Sequence, residues 1–307
     1  MRYHRQGTSW LKQYRGNRDL LLMFLPCAAT LLVFNYIPMM GLIVAFKDYR
    51  LSLGILKSPW VGWDHFVRLF SSEDFPRALR NTLIISSLRM TIGFVAPIVL
   101  ALLLNEVRSR WFSRAVQTAT YLPYFFSWVV LGGILQILLT STGPINYLLG
   151  LFGIGPILFL SHDVWFIVML ILTGIWHAAG YAAVIYLAAL AGINPSLYEA
   201  ATVDGAGKWH SMWHVTLPCL VPTIIVLAIL QVGYILSAGF DQVYNLYNPS
   251  VYDVSDIIDT YVIRRLMTMD FGLSTAAGMF KSTVGLILII SANWVARRVS
   301  GGEQGVW

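Results

Sequence analysis

Charge is what this sequence has least of. Only 12% of its 307 residues are Asp, Glu, Lys or Arg, while 57% are hydrophobic, about half the charged share of an ordinary soluble domain. So few charges cannot wet a globule of this size, and most of the chain must take lipid as its solvent. Cysteine is nearly missing too. Cys27 and Cys219 stand far apart in or beside apolar runs, which excludes a disulfide framework or a thiolate metal cluster and leaves buried structural thiols as the expectation. The long apolar runs contain no Asp or Glu, the residues an ion-coupled secondary transporter needs inside the membrane. The net charge of +6 is scattered among loops without interleaved aromatics, so no nucleic-acid surface is expected.

What the sequence has in abundance is apolar length. A helix rises 1.5 Å per residue, so crossing about 30 Å of hydrocarbon takes about 20 predominantly apolar residues. Six stretches qualify: 20–46, 82–104, 115–139, 165–190, 219–237 and 276–296. The first follows a basic segment but is too long for a cleaved secretory signal and lacks an A-x-A-like site, so it reads as a retained span. With a cytoplasmic amino terminus, residues 1–19, 105–114, 191–218 and 297–307 lie inside, and 47–81, 140–164 and 238–275 outside. Lys and Arg number 11 over the 68 inside residues and eight over the 98 outside residues. That density, about twofold higher inside, supports the orientation. Within residues 1–19, Trp10, Leu11 and Tyr14 oppose Lys12 and Arg15, the pattern of an amphipathic segment on the inner leaflet or of a basic tail.

The longest inside loop, residues 191–218, reads AGINPSLYEAATVDGAGKWHSMWHVTLP. Asn194 caps a helix begun by Pro195 and Ser196, and Asp204, Gly205 and Gly207 stop it. Small Ala200 and Ala201 beside the Glu199 carboxylate make a surface onto which a partner can dock closely.

Within that loop, Glu199-Ala200-Ala201, Gly205, Val215 and Leu217-Pro218 stand at the spacings of the cytoplasmic signature of binding-protein-dependent ABC permeases, with Val215 in place of the usual isoleucine. The chain thus resembles that family. The stretches at 81–106 and 121–134 resemble core spans of its carbohydrate-uptake members. Residues 239–265, together with GEQGVW at 302–307, are similar to the branch containing alginate and pectin-oligosaccharide permeases. The resemblance implies an all-α integral membrane protein with the six-helix, MetI-like fold of type I ABC importers. It also implies a cytoplasmic coupling helix, in which Glu199, Ala200, Ala201, Asp204, Gly205, Leu217 and Pro218 engage an ATPase subunit. The implied partners are a second homologous permease chain, ABC ATPase subunits, an extracytoplasmic solute-binding protein, membrane lipid and an oligosaccharide. The implied location is a bacterial cytoplasmic membrane with both termini inside.

No catalytic residue or cofactor is expected in this chain. GAGKW at 205–209 is no phosphate loop, because Trp209 stands where Ser or Thr is required and Thr202 where the first Gly would be, so ATP and Mg²⁺ belong to the partner ATPase. His210 and His214 lack an intervening Glu or a third ligand for zinc. Paired carboxylates and nucleophile–base sets are likewise missing at the membrane faces, which argues against a membrane-embedded enzyme. An exporter would carry a fused ATPase or longer cytoplasmic helices.

Polar groups inside spans face a bundle interior or an aqueous path, which singles out Arg89 and Lys281 as path-lining or structurally paired. Sugar rings present apolar faces and hydroxyl edges, so aromatic and amide or carboxylate side chains add Tyr124, Trp128, Gln136, Trp176, Tyr181, Gln231, Tyr234 and Asp241 to the pathway candidates. Positive charge on the path would favour uronic-acid sugars. The outer loop, with Asp241, Asp253, Asp256, Asp259 and Asp270 among Tyr244, Tyr247, Tyr252 and Tyr261, is the expected landing surface for a binding protein.

Overall fold

The structure, a computed structural model, describes residues 18–233 and 235–299. The amphipathic segment at 1–17, Tyr234 and the tail from 300 onward lie outside the described residues. Among the described residues the chain is helical throughout, apart from turns and a single antiparallel bridge between Lys47 and Trp60. In hydrocarbon every backbone N–H and C=O must find its partner within the segment, and a helix meets that demand alone.

Six helical runs are long and apolar enough to cross a bilayer: Leu22–Phe46, Asp74–Glu106, Trp128–Leu151, Asp163–Ala191, Lys208–Gly233 and Phe271–Arg298. The second and fourth pack along each other, as do the fifth and sixth. Three of the runs contain a widened π turn, at Leu32–Tyr36, Arg89–Gly93 and Met212–Thr216. Each π turn holds the residue four before a proline, namely Pro38, Pro97 and Pro218. Proline has no N–H for that carbonyl and its ring crowds it, and the wider turn absorbs both problems.

Three buried clusters hold the spans together. At the end nearer the loop 191–218, Ala101, Ala183, Tyr186, Leu190 and Leu220 join the second, fourth and fifth spans. Ile85, Leu135, Phe166, Leu170, Val243 and Ile257 fasten the second, third and fourth spans to the outer loop. Leu69, Phe75, Ile258, Tyr261 and Leu273 form the base of an outer cap. Phe75 and Tyr261 are fully buried there and meet edge to face at 5.6 Å. Each aromatic buried away from water contributes about 1.5–3 kcal/mol.

Several boundaries differ from those expected. The stretch 115–139 is not one span. A helix at Arg110–Tyr121 passes through a 3-10 turn at Leu122–Phe125, and a new helix begins at Trp128. Phe126 and Ser127 are extended, and the Ser127 side chain accepts a hydrogen bond from the Val130 N–H. Pro123 followed by a serine cap breaks the helix inside an apolar run, where hydropathy alone shows nothing. The helix that begins at Trp128 ends at Leu139, where its span was expected to end, and after a turn at 140–143 a separate short helix, Pro144–Leu151, occupies the start of the following loop.

The fifth run starts at Lys208, not Cys219, because the π turn carries the helix through Pro218, and its α-helix ends at Gly233 before a 3-10 turn at Ile235–Ser237. The second and sixth runs start at Asp74 and Phe271, well before Thr82 and Ala276, because polar residues extend them beyond the hydrocarbon. Cys27 and Cys219 are exposed on the chain, not buried. A thiol is weakly polar and rests against lipid without needing a protein core.

Candidate functional site

A cavity of about 700 Å³ opens between the second, fourth and fifth runs and the connection to the outer loop. Arg89, Tyr124 and Gln231 line it, along with Ser86, Gly174, Ser237 and Gly239. Arg89 stands on the π turn at the middle of the second run. Its Nη1 donates to Gln242 Oε1 at 2.5 Å. Gln242 is fully buried and donates in turn to the Leu170 carbonyl at 2.7 Å and to Thr173 Oγ1 at 2.8 Å.

An aromatic group borders this cavity. Tyr124 and Tyr181 lie face to face with ring centres 4.0 Å apart and planes 3° from parallel. His177 lies against Trp128 at 4.6 Å and Tyr124 at 5.6 Å between ring centres, tilted by 38° and 37°. Three pathway candidates from three segments thus meet around a histidine that the sequence reading passed over. A His one helical turn before Tyr181 was the available signal.

The other candidates are placed elsewhere. Gln136 donates to the Asn245 carbonyl at 3.0 Å, and the Asp241 carbonyl accepts from Asn245 Nδ2 at 2.7 Å. The first of these bonds ties the third run to the helix Phe240–Leu246, and the second lies within that helix. Trp176 is half exposed on the fourth run and does not line the cavity. Lys281 is bound to both oxygens of Asp259, at 2.6 and 2.7 Å, beside a smaller cavity between the fifth and sixth runs.

On the opposite side, the inside loop forms a helix over Pro195–Val203, and the Asn194 side chain accepts from the Ser196 N–H. Gly205 has φ +79°, so the chain turns through a left-handed residue, as glycine permits. Glu199, Ala200, Asp204 and Gly205 are exposed and Ala201 is half-buried. The Tyr198 hydroxyl meets Thr216 Oγ1 at 3.1 Å, which pins the short helix to the root of the fifth run next to Leu217 and Pro218. Lys208 pairs with Glu106 at 3.1 Å, joining this loop to the C-terminal end of the second run. His210 and His214 stack with ring centres 4.0 Å apart, and among the described residues no group of three or more His, Cys, Asp or Glu is placed to hold a metal.

The outer cap is held by charge. Asp256 is fully buried and accepts from Arg264 at 2.8 and 2.6 Å; these bonds hold the Arg264 guanidinium above its ordinary pKa. Asp74 accepts from Arg77 and Arg265, at 2.9 and 2.8 Å. Arg80 and Asn81, on the extension of the second run, donate to the Asp253 carbonyl at 2.9 and 3.0 Å.

Known proteins are similar to this chain over nearly its whole length. A permease of Bacillus subtilis named for polygalacturonan/rhamnogalacturonan transport is 47% identical over 290 residues, 94% of this chain and 90% of the relative. The B. subtilis protein LplB is 44% identical over 95% of this chain and 93% of its own length. A crystal structure of a bacterial alginate ABC transporter, in complex with an alginate pentasaccharide-bound periplasmic protein, contains a chain that superimposes with a TM-score of 0.90 at 42% identity, covering 97% of this chain and 99% of that one. The family model for the binding-protein-dependent transport system inner membrane component matches residues 93–301. On its six crossing helices, its inside loop and this match, the chain belongs to the family of inner membrane components of binding-protein-dependent transport systems.

Proposed function

We propose that this chain is one permease half of an ATP-driven importer of oligosaccharides in a bacterial cytoplasmic membrane, with both termini inside. The observation that carries the reading is the exposed helix Pro195–Val203 with its Glu199-Ala200-Ala201 and Gly205, bonded to the fifth run, whose Gln231 lines the central cavity. A push on the short helix is passed through the Tyr198–Thr216 bond to the run that forms part of the cavity wall. Relatives named for polygalacturonan/rhamnogalacturonan, lactose and trehalose/maltose transport support a saccharide as cargo.

In this reading a separate ABC ATPase holds ATP and Mg²⁺ and grips Glu199, Ala200, Ala201, Asp204 and Gly205. A second homologous permease covers the first run, whose residues are exposed along most of its length. The outer cap receives a solute-binding protein. ATP binding draws the coupling helices together and turns the cavity outward to accept sugar; hydrolysis turns it inward. Arg89, Tyr124, Trp128, Tyr181 and Gln231 line or border the path.

The test is uptake of labelled oligosaccharide by cells carrying Glu199→Lys or Gly205→Arg. Both variants are expected to reach the membrane and to abolish uptake, and the ATPase is expected to co-purify with the wild-type chain only. Transport retained in both variants overturns the coupling assignment.

A further inference from the structure

Resting on that reading, we propose that Ser86 and Arg89 form a subsite for a sugar carboxylate, and that Gln242 is the residue that positions the guanidinium for it.

Arginine has five N–H donors and is always charged. Arg89 uses one of them, toward Gln242, and among the described residues no carboxylate lies within ion-pair distance of it. A cation in a cavity between membrane helices without a counter-ion is costly, and an anionic ligand removes that cost. One helical turn earlier, Ser86 is among the residues lining the same cavity, and its buried Oγ has no hydrogen-bond partner among the described residues. The two groups left short of partners are therefore a guanidinium and a hydroxyl on one face of one helix, a set that suits a carboxylate.

The surroundings hold the arginine in place. Gly239 has φ +72°, and a Cβ there would collide with the guanidinium. A Cβ on Gly174 would stand 3.1 Å from Gln242 Oε1 and 3.4 Å from Arg89 Nη1. Two glycines on two elements thus leave room for the pair. Gln242, anchored to Leu170 and Thr173, supplies a neutral acceptor where a carboxylate would have cancelled the charge. The π turn at Arg89–Gly93 sets the direction in which the side chain leaves the helix, an irregularity of the kind frequent at functional sites.

The experiment is equilibrium binding of labelled trigalacturonate, and of the same trisaccharide with its carboxylates reduced to alcohols, to the purified permease–ATPase complex without binding protein. Wild type is expected to prefer the acid. Arg89→Gln is expected to weaken acid binding at least tenfold and Ser86→Ala severalfold, with the reduced ligand unaffected in both. Gln242→Glu places an internal carboxylate on Arg89 and is expected to raise the apparent KM for the acid ligand in uptake while leaving its maximal rate within about twofold. Ser86→Ala removes a single hydroxyl, so it serves as the test if Arg89→Gln fails to assemble. Equal binding of acid and reduced ligand by wild type, no binding of either, or wild-type acid affinity in the variants overturns the subsite and leaves oligosaccharide import standing. Failure of wild-type complex to take up any oligosaccharide with ATP removes the import reading instead.

Discussion

Replacing Asp256 by alanine tests whether the outer cap is held together as described. The carboxylate is fully buried and is the only acid bonded to the Arg264 side chain among the described residues. Thr260 loses one acceptor but keeps the Ile257 carbonyl at 2.9 Å, so the loss falls on Arg264. Removing one partner of a buried ion pair costs about 3–5 kcal/mol, because the other charge is left uncompensated. The Arg264 side chain is 30% exposed, and the water that reaches it lowers the expectation to about 2–4 kcal/mol. At about 2–4 °C per kcal/mol, the melting midpoint of the purified complex falls by roughly 4–16 °C. The double variant Asp256→Ala/Arg264→Met removes the stranded charge and recovers at least half of the loss. Thermal unfolding in nanodiscs, followed by loss of the monodisperse chromatographic peak, measures both. An Asp256→Ala midpoint within about 2 °C of wild type, or a double variant no better than the single one, refutes the reasoning.

Gly180 faces the Thr120 carbonyl so closely that a Cβ there would collide with it; Gly180→Val is expected to destabilise the complex by more than about 2 kcal/mol, read as lost expression of monodisperse protein. Lys281→Met strands the half-buried Asp259 carboxylate and lowers the melting midpoint, while Lys281→Met with Asp259→Asn restores it; if uptake then remains at the wild-type level, Lys281 is structural and not part of the path. Gly205→Ala strains a residue at φ +79° by about 1–2 kcal/mol, so uptake is expected to fall severalfold without loss of the chain from the membrane.

Hydropathy made the number of spans legible, because lipid imposes one requirement on every crossing segment. Local chemistry made the inside helix legible: Asn194, Pro195 and Gly205 act within one or two turns of themselves. The break at Phe126–Ser127 was less visible, since Ser127 lies between two apolar stretches that each suit hydrocarbon. The role of Gln242 was not legible at all. Its partners Arg89, Leu170 and Thr173 lie 153, 72 and 69 residues away, and only tertiary packing brings them together. Lys281 shows the limit of counting charges within apolar runs. Its acid, Asp259, sits in a short helix of the outer cap at Ile258–Met267, outside the apolar runs.

The second run begins at Asp74, well outside the hydrocarbon, and continues without a break past Arg77, Arg80 and Asn81 to Arg89. From Asn81, the last residue to clasp the cap, to Arg89 at the cavity wall is a rise of about 12 Å along one helix. The second run is therefore a spoke fixed at one end to the cap and ending at the cavity wall, and a tilt imposed at the rim is felt at the hub with no relay of loops between.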